Sequence, residues 1–183
     1  MASSAAASTA PEFLRPWLVS KEGGEVTTVL RGGDDEASTA AAGVFRDFLG
    51  PKQIAITADG SLAYVTCKTF VVRVSLLGNC KPVIIAGSKG QSSVAVDDIG
   101  SVARFKNAFD LVLSPDETQL YVTDCEGHTI RRISLEDNFR VSTVAGSGEE
   151  GSNDGVGAAA SFKRPSGVVM TSDGAHLYVS DFG

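Results

Sequence analysis

The sequence predicts an all-β fold, and three observations lead to that prediction. The chain of 183 residues contains 20 glycines and no convincing amphipathic helix, which is typical of many short strands joined by tight turns. Short apolar runs that contain Tyr and Val alternate with turns rich in Gly and Asp. One unit of sequence also recurs with a fixed period. That unit defines the elements of the fold.

Four marker residues recur every 57 residues, without gaps, in three copies of the unit. They are Phe48, Phe105 and Phe162; Tyr64, Tyr121 and Tyr178; Asp59, Asp116 and Asp173; and Gly43, Gly100 and Gly157. Several residue types that keep one spacing indicate a structural repeat, not a biased composition. Outside this block the copies differ by small insertions, as the loops of repeat proteins do.

Each unit is predicted to contain four short antiparallel strands. The first is an apolar run such as Ile54 to Thr57, and the second is a run such as "LAYVT" that follows a Gly or Asp turn. The third, "TIRRISL", alternates apolar residues with Arg131 and Arg132, which is typical of a half-exposed strand. The fourth is "PVIIAG" or "VSTVAG". Repeated four-stranded units without helices indicate the blades of a β-propeller.

The third copy resembles the long form of the NHL repeat, the blade of NHL-type propellers. It shares "TVAGSG", "DGVG", "ASF", a Pro and a Gly, and "LYVSD" with that repeat. The second copy keeps His128 but has Gly127 where the family has Asn and Thr129 after the His, and the first copy has Cys67 in place of the Asp. The resemblance implies a ring of commonly about six blades. WD-type propellers are the alternative, although their Gly-His and Trp-Asp marks are absent from the sequence.

The chain would then hold about two and a half NHL-type blades of a ring with about six. Residues 1–25 are predicted to be a disordered tail, and residues 26–183 a partial propeller. Blade 1 is placed at about 44–87, blade 2 at about 101–146 and an incomplete blade 3 at about 158–183. Val26 to Leu30 suits a strand that closes such a ring. We therefore expect a fragment of a longer protein, with two copies sharing one ring as the weaker alternative.

The repeated markers are expected to have structural roles. Phe48, Phe105 and Phe162 should wedge between neighbouring blades. Asp124 and Asp181 should accept hydrogen bonds from backbone N–H groups of the turn that follows each of them. For His128 we expect a hydrogen bond within a turn or between blades, in preference to a metal-binding or catalytic role.

The sequence predicts no catalytic residue, no metal site and no cofactor. The Gly-rich stretches "AGSKGQSS" and "AGSGEEG" follow strands and have no helix to present a phosphate site, so they are interpreted as blade connections. Close carboxylates in "SNDGVG" match no calcium-binding loop pattern. Cys67, Cys80 and Cys125 are expected to be reduced thiols, with a disulfide between two of them as the minority alternative.

Four cations form the candidate partner-binding site. Arg104 and Lys106 flank the repeated Phe of the second copy, and Lys163 and Arg164 follow that of the third. If the connection into each first strand runs over one face of the propeller, these side chains would be exposed there and would dock an acidic protein partner. The alternative is ordinary solvated charge.

The sequence favours a non-catalytic scaffold that binds another protein. The alternative is a fragment of a propeller enzyme, of the lyase, lactonase or hydrolase type, with a metal site in a central channel that this chain only begins to form. Because the net charge is −6, nucleic-acid binding is not expected, and no apolar run approaches the roughly 18 residues of a membrane span. An open blade edge would also allow self-association. A cytoplasmic location is expected, with an organelle transit segment as the weaker alternative.

Overall fold

The computed structural model describes residues 50–77, 82–90 and 92–183, together with the backbone of Leu18–Val19 and Val26–Thr27. Within this part the regular structure consists of β-strands and short 3-10 turns, with no α-helix. The all-β prediction is therefore confirmed. No helix of the described residues is long and apolar enough to cross a membrane.

The strands form two complete four-stranded antiparallel sheets and one two-stranded sheet of the same type. Blade 1 contains β3 (Pro51–Ile56), β4 (Leu62–Cys67), β5 (Phe70–Ser75) and β6 (Pro82–Gly87), paired in that order. Blade 2 contains β7 (Ala108–Leu113), β8 (Gln119–Asp124), β9 (Thr129–Ser134) and β10 (Val141–Ala145), again in order. Blade 3 contains β11 (Gly167–Met170) and β12 (Leu177–Ser180). The strands β3, β7 and β11 are neighbours across the blades and form the inner edge.

The register reproduces the repeat seen in the sequence. Tyr64 lies opposite Ala55 and Tyr121 lies opposite Val112, at equivalent positions of the two complete blades. The first strand of each complete blade contains a bulge, between Pro51 and Ile54 in β3 and in the corresponding place in β7. Because of this bulge the first strands begin about three residues before the apolar runs that predicted them.

The turn between the first two strands is closed by the repeated aspartate. The Oδ1 of Asp59 accepts hydrogen bonds from Thr57 Oγ1 at 2.6 Å and from the Ser61 backbone N–H at 2.9 Å. Asp116 and Asp173 accept the equivalent bonds in the other two blades. Bonds to the ionised carboxylate lower the pKa of Asp59, Asp116 and Asp173, the side-chain hydroxyl bond being the largest cause. A local Asx turn therefore explains why this residue keeps its spacing.

The core between blades 1 and 2 is built around Phe105. Its side chain is fully buried among Tyr64 and Ile85 of blade 1 and Leu120 and Ile133 of blade 2. The prediction that this Phe wedges between neighbouring blades is confirmed for Phe105. Phe162 is half-buried, and Phe48 lies outside the described residues.

Burial falls where the third blade has two strands instead of four. Tyr64 is 4% exposed, whereas its counterpart Tyr178 in β12 is 65% exposed. Ile85 is 2% exposed and its counterpart Val144 is 39% exposed. Tyr178 and Val144 are thus more exposed than their counterparts in blade 1. The strands that cover Tyr64 and Ile85 have no described equivalent beside Tyr178 and Val144.

The described N-terminal strands pair with each other. Strand β1 (Leu18–Val19) pairs antiparallel with β2 (Val26–Thr27) in a separate two-stranded sheet. Whether Val26 to Leu30 closes a complete ring stays a prediction, because such a ring needs more blades than this chain contains. Residues 28–30 lie outside the described part, as does most of the predicted N-terminal tail.

Candidate functional site

The candidate site lies on the face where the inner strands begin, which we call the connection face. The second strand of each blade ends there, the third strands of the two complete blades begin there, and the long connections into blades 2 and 3 arrive there. The segment 104–107 leads into β7, and the segment 161–166 leads into β11. The four cations predicted from the sequence all lie in these two segments.

A carboxylate at the end of each second strand fixes these segments. Asp124 is fully buried and accepts hydrogen bonds from the backbone N–H groups of Lys106 at 3.1 Å and Asn107 at 2.7 Å. Its counterpart Asp181 accepts the backbone N–H of Lys163 at 2.8 Å. Both aspartates accept bonds from backbone N–H groups, as predicted, but the donors lie in the segment before the inner strand. The predicted donor, the turn after each aspartate, was wrong, because the N–H groups that reach the carboxylates belong to the segment that leads into the inner strand.

Arg104 and Lys106 are half-buried and differ in their contacts. One terminal nitrogen of Arg104 donates to the carbonyl oxygens of the turn before it, those of Ser101 at 2.6 Å and Ala103 at 2.8 Å among them. Arg104 thus stabilises the turn of the connection in which it lies. The Lys106 side chain makes no hydrogen bond or ion pair within the described residues, so its ammonium group keeps its hydrogen-bonding capacity for solvent or a partner.

Lys163 and Arg164 are both exposed, next to an acidic residue. The Lys163 ammonium forms an ion pair with Glu150 at 3.0 Å. Its hydrogen bond and charge lower the pKa of Glu150, and the charge of Arg164 adds to the effect. The Arg164 side chain makes no hydrogen bond within the described residues. Glu150 therefore partly neutralises the basic surface at blade 3.

His128 has the structural role expected from the sequence. It is the left-handed residue after the 3-10 turn Cys125–Gly127, with a φ of 54°. Its Nδ1 accepts a hydrogen bond from the backbone N–H of Arg164 at 3.2 Å. Since Arg164 belongs to the next blade, the histidine joins blades 2 and 3, which confirms the predicted inter-blade bond.

A second polar group on this face was missed by the sequence analysis. The Lys52 ammonium donates to Asn107 Oδ1 at 2.7 Å and lies 4.3 Å from the centre of the Phe109 ring. Asn107 Nδ2 in turn donates to Glu126 Oε1 at 3.2 Å. Burial, the largest cause, lowers the pKa of Lys52. The repeat could have predicted the contact between Lys52 and Phe109, because they occupy equivalent positions of adjacent inner strands and such positions lie side by side.

Arg131 departs most from the prediction, because its side chain is fully buried although its strand was predicted to be half-exposed. Its guanidinium bonds to Asp97 Oδ1 at 2.6 Å, to Asp124 Oδ2 at 3.4 Å, and to the carbonyl oxygens of Val96 at 2.9 Å and Arg104 at 3.0 Å. We call this group the arginine clamp. It fastens the connection between blades 1 and 2 to the middle of blade 2.

The clamp continues beyond the guanidinium. The Arg131 side chain lies over the Phe105 ring at 5.1 Å. Asp97 Oδ2 also accepts the backbone N–H of Thr143 at 2.8 Å, and this bond joins the connection to the outer strand β10. A signal for the clamp exists in the repeat, since the first blade has Cys67 and Val72 at the positions of Asp124 and Arg131. A carboxylate and a guanidinium that are replaced together by two apolar side chains indicate contact between them.

Three further titratable side chains of the described residues, Asp110, Cys67 and Cys125, are in structural positions. No group of three or more His, Cys, Asp or Glu in the described part is arranged to hold a metal ion. Asp110, the acidic residue of an inner strand, accepts the backbone N–H of Val168 at 2.8 Å and joins blades 2 and 3. Cys67 and Cys125 are buried free thiols, and burial raises the pKa of Cys67 to about 12. Cys80 lies outside the described residues.

The comparisons with known proteins support the fold. No family model matches the chain. A segment of 70 residues is 36% identical to Protein SUPPRESSOR OF QUENCHING 1, chloroplastic, of Arabidopsis thaliana, and covers 38% of this chain and 6% of that protein. An auxiliary nutrient binding protein from Bacteroides thetaiotaomicron superimposes with a TM-score of 0.67 at 24% identity, over 90% of this chain and 40% of the other.

A second auxiliary nutrient binding protein, from Bacteroides ovatus, has a TM-score of 0.59 and 26% identity over 70% of this chain and 34% of its own. The chain therefore spans less than half the length of the proteins it resembles. These structural neighbours are β-propeller-like proteins. The chain accordingly has a β-propeller fold in part, with two complete blades and two strands of a third among its described residues.

Proposed function

We propose that the chain is a non-catalytic scaffold of NHL-type blades whose connection face binds an acidic segment of a partner protein. One observation carries the proposal. Asp124 and Asp181 hold the backbone of Lys106 and Lys163 at equivalent positions in successive blades. Two cations are thereby presented at a fixed separation on a rigid support. Preorganised charge lowers the ordering cost of binding and favours a partner of opposite charge.

Fewer of the predicted cations are available to a partner than the four that the sequence indicated. Arg104 is engaged with its own turn and Lys163 is paired with Glu150. Lys106 and Arg164 carry the cationic groups that are available to a partner. Lys163 would join them when an incoming carboxylate competes with Glu150, an exchange that costs little because exposed ion pairs contribute only about 0–1 kcal/mol.

Two of the similar solved structures have names that describe binding, which agrees in kind with a binding role for this chain, and another is named as a putative phosphatase. The enzymatic alternative has no observation among the described residues in its favour.

The test compares charge reversals on and off the connection face. The wild-type chain and the variants Lys106→Glu, Arg164→Glu and Arg132→Glu would each be used to capture binding proteins from a cell extract, with quantitative mass spectrometry of what is retained. Arg132 is an exposed arginine of β9 and makes no side-chain hydrogen bond within the described residues. It therefore gives a matched change of charge elsewhere on the fold.

We expect an acidic protein that is retained by wild type and by Arg132→Glu but is reduced about tenfold by Lys106→Glu and by Arg164→Glu. Its retention should also fall as salt is raised from about 0.05 to 0.5 M, because exposed charges are screened. Equal retention by all four proteins would remove the connection face from the interaction.

A further inference from the structure

The connection face carries, where the two complete blades meet, a lysine that the sequence analysis did not include. Lys68 lies in the two-residue turn between β4 and β5 and is exposed. Its carbonyl oxygen accepts the backbone N–H of Ala108 at 2.7 Å, which fixes this turn of blade 1 against the start of the inner strand of blade 2. The Lys68 side chain, like that of Lys106, makes no hydrogen bond or ion pair within the described residues.

Three lysines therefore surround Asn107. The Lys52 ammonium donates to Asn107 Oδ1 at 2.7 Å, Lys106 precedes Asn107 in the chain, and the Lys68 carbonyl is bonded to the residue that follows it. We call Lys52, Lys68 and Lys106 the lysine junction. Burial is the largest cause that lowers the pKa of Lys52, and the charge of Lys68 lowers it further. Lys52 and Lys68 thus repel each other, and an anion bound beside them would relieve this repulsion.

The nearby carboxylates are not paired with these lysines. Glu126 is exposed in the turn between β8 and β9, and its Oε1 accepts a hydrogen bond from Asn107 Nδ2 at 3.2 Å. Its charge raises the pKa of Lys52, against the effect of burial, but it forms no ion pair with the lysine junction in the described part of the chain. Asp97 and Asp124 are engaged by the arginine clamp. The lysine junction therefore has no directly paired carboxylate among the described residues.

The place where blades 2 and 3 meet differs in this respect. Lys163 occupies the position of Lys106 but forms an ion pair with Glu150 at 3.0 Å. The turn between β8 and β9 corresponds to the turn that bears Lys68, and it contributes Glu126 in place of a lysine. The same backbone arrangement thus presents unpaired lysines between blades 1 and 2 and a partly neutralised surface between blades 2 and 3.

We propose that the lysine junction is the anchor of the connection face, and that Lys68 and Lys106 together bind one carboxylate side chain of the partner's acidic segment. This inference rests on the proposed function and identifies where its binding energy is concentrated. Lys52 adds its charge to the attraction from a fixed position, because its ammonium is held by Asn107 and lies 4.3 Å from the centre of the Phe109 ring. A carboxylate that receives two ammonium donors forms charge-assisted hydrogen bonds, which are stronger than neutral ones.

The probe is a fluorescein-labelled peptide of six glutamates, with a peptide of six glutamines as its control. Binding to the full chain would be measured by fluorescence anisotropy at about 0.05 M salt, where exposed charges are weakly screened. The single variants are Lys68→Gln, Lys106→Gln, Arg164→Gln and the control Arg132→Gln, each of which removes one positive charge. Two double variants combine Lys68→Gln with Lys106→Gln or with Arg164→Gln. Circular dichroism would verify that each protein is folded.

We expect Lys68→Gln and Lys106→Gln each to weaken binding of the glutamate peptide about fourfold, and Arg132→Gln to change it by less than about twofold. The double variant of Lys68 and Lys106 should lose only about sixfold, because two lysines that share one carboxylate depend on each other. The double variant of Lys68 and Arg164 should lose the product of its two single losses, because these residues lie at different junctions. The glutamine peptide should not bind.

The possible contrary results separate the anchor from the proposed function. Unchanged binding by Lys68→Gln together with a loss by Lys106→Gln would overturn the anchor and leave the proposed function in place. So would a double variant of Lys68 and Lys106 that loses the full product of the single losses. No binding of the glutamate peptide to the wild-type chain, or equal binding by all variants, would contradict both. Tighter binding of a uridine hexanucleotide than of the peptide, lost in Lys68→Gln, would assign the lysine junction to the phosphates of a nucleic acid instead.

Discussion

The arginine clamp can be removed and restored with the chain's own sequence. Blade 1 has Cys67 and Val72, both buried, where blade 2 has the buried pair Asp124 and Arg131. The same fold thus accepts an apolar and an ionic solution at one place. We consider the variants Asp124→Cys and Arg131→Val and the double variant that carries both.

The expected costs follow from the contacts. Arg131→Val leaves the fully buried Asp124 carboxylate without its cation, and breaking a buried ion pair from one side costs about 3–5 kcal/mol of unfolding free energy. Asp124→Cys leaves Arg131 paired with Asp97 at 2.6 Å. It costs about 1–3 kcal/mol for each of the two backbone N–H groups that lose their acceptor. The double variant has no unpaired buried charge, so its stability should lie within about 1 kcal/mol of that of Asp124→Cys.

The assay is equilibrium unfolding in urea, followed by far-ultraviolet circular dichroism. We expect the double variant to be more stable than the sum of the two single effects predicts, by about 3–5 kcal/mol, which is the cost of Arg131→Val alone. Additive costs would refute the reasoning, because they would show that Asp124 and Arg131 do not depend on each other in the folded protein.

Two further predictions concern the same core. Phe105→Ala should cost about 3–5 kcal/mol in unfolding free energy, because the ring is fully buried. Phe162→Ala should cost clearly less. Equal shifts of the two variants in thermal unfolding would contradict the difference in packing. Burial raises the pKa of Asp124 above its ordinary value of 3.8, so the folded state binds a proton more tightly than the unfolded state and this group adds stability as the pH falls through the raised pKa. The Arg131 charge lowers this pKa in wild type, so its removal raises the pKa further. Arg131→Val should therefore regain stability relative to wild type as the pH is lowered from 7 towards 4. A loss that does not change with pH would show that Asp124 is not a buried carboxylate in the variant.

The blade architecture was predictable because the repeat is local. The spacing of Phe, Tyr, Asp and Gly identified each strand, and the Asp59 turn needs contacts only within a few residues. The bulges at the start of β3 and β7 were not predicted, since they depend on pairing with the following strand. The pairing of Val26–Thr27 with Leu18–Val19 was missed for a similar reason. Two-residue strands leave almost no pattern in a sequence.

The site was predicted in outline only. The segments that bear Lys106 and Lys163 do lie on one face, but the pairing of Lys163 with Glu150 could not be read from the sequence. Arg131 was assigned to a half-exposed strand by its alternation with apolar residues, which was correct for the exposed Arg132 and wrong for Arg131. The burial of Arg131 depends on Asp97, which lies 34 residues earlier and reaches it only through the fold.

Hydrogen exchange of two matched strands tests most directly whether blade 3 presents an open edge. The segments Leu120–Thr123 of β8 and Leu177–Ser180 of β12 differ only in the last residue, Thr or Ser, so their intrinsic exchange rates are nearly equal. Strand β8 is paired on both sides and β12 on one side among the described residues. We predict that the β8 amides exchange at least about 100-fold more slowly than those of β12. Equal protection of the two segments would contradict the open edge, because it would mean that another part of the chain or a second copy already covers β12.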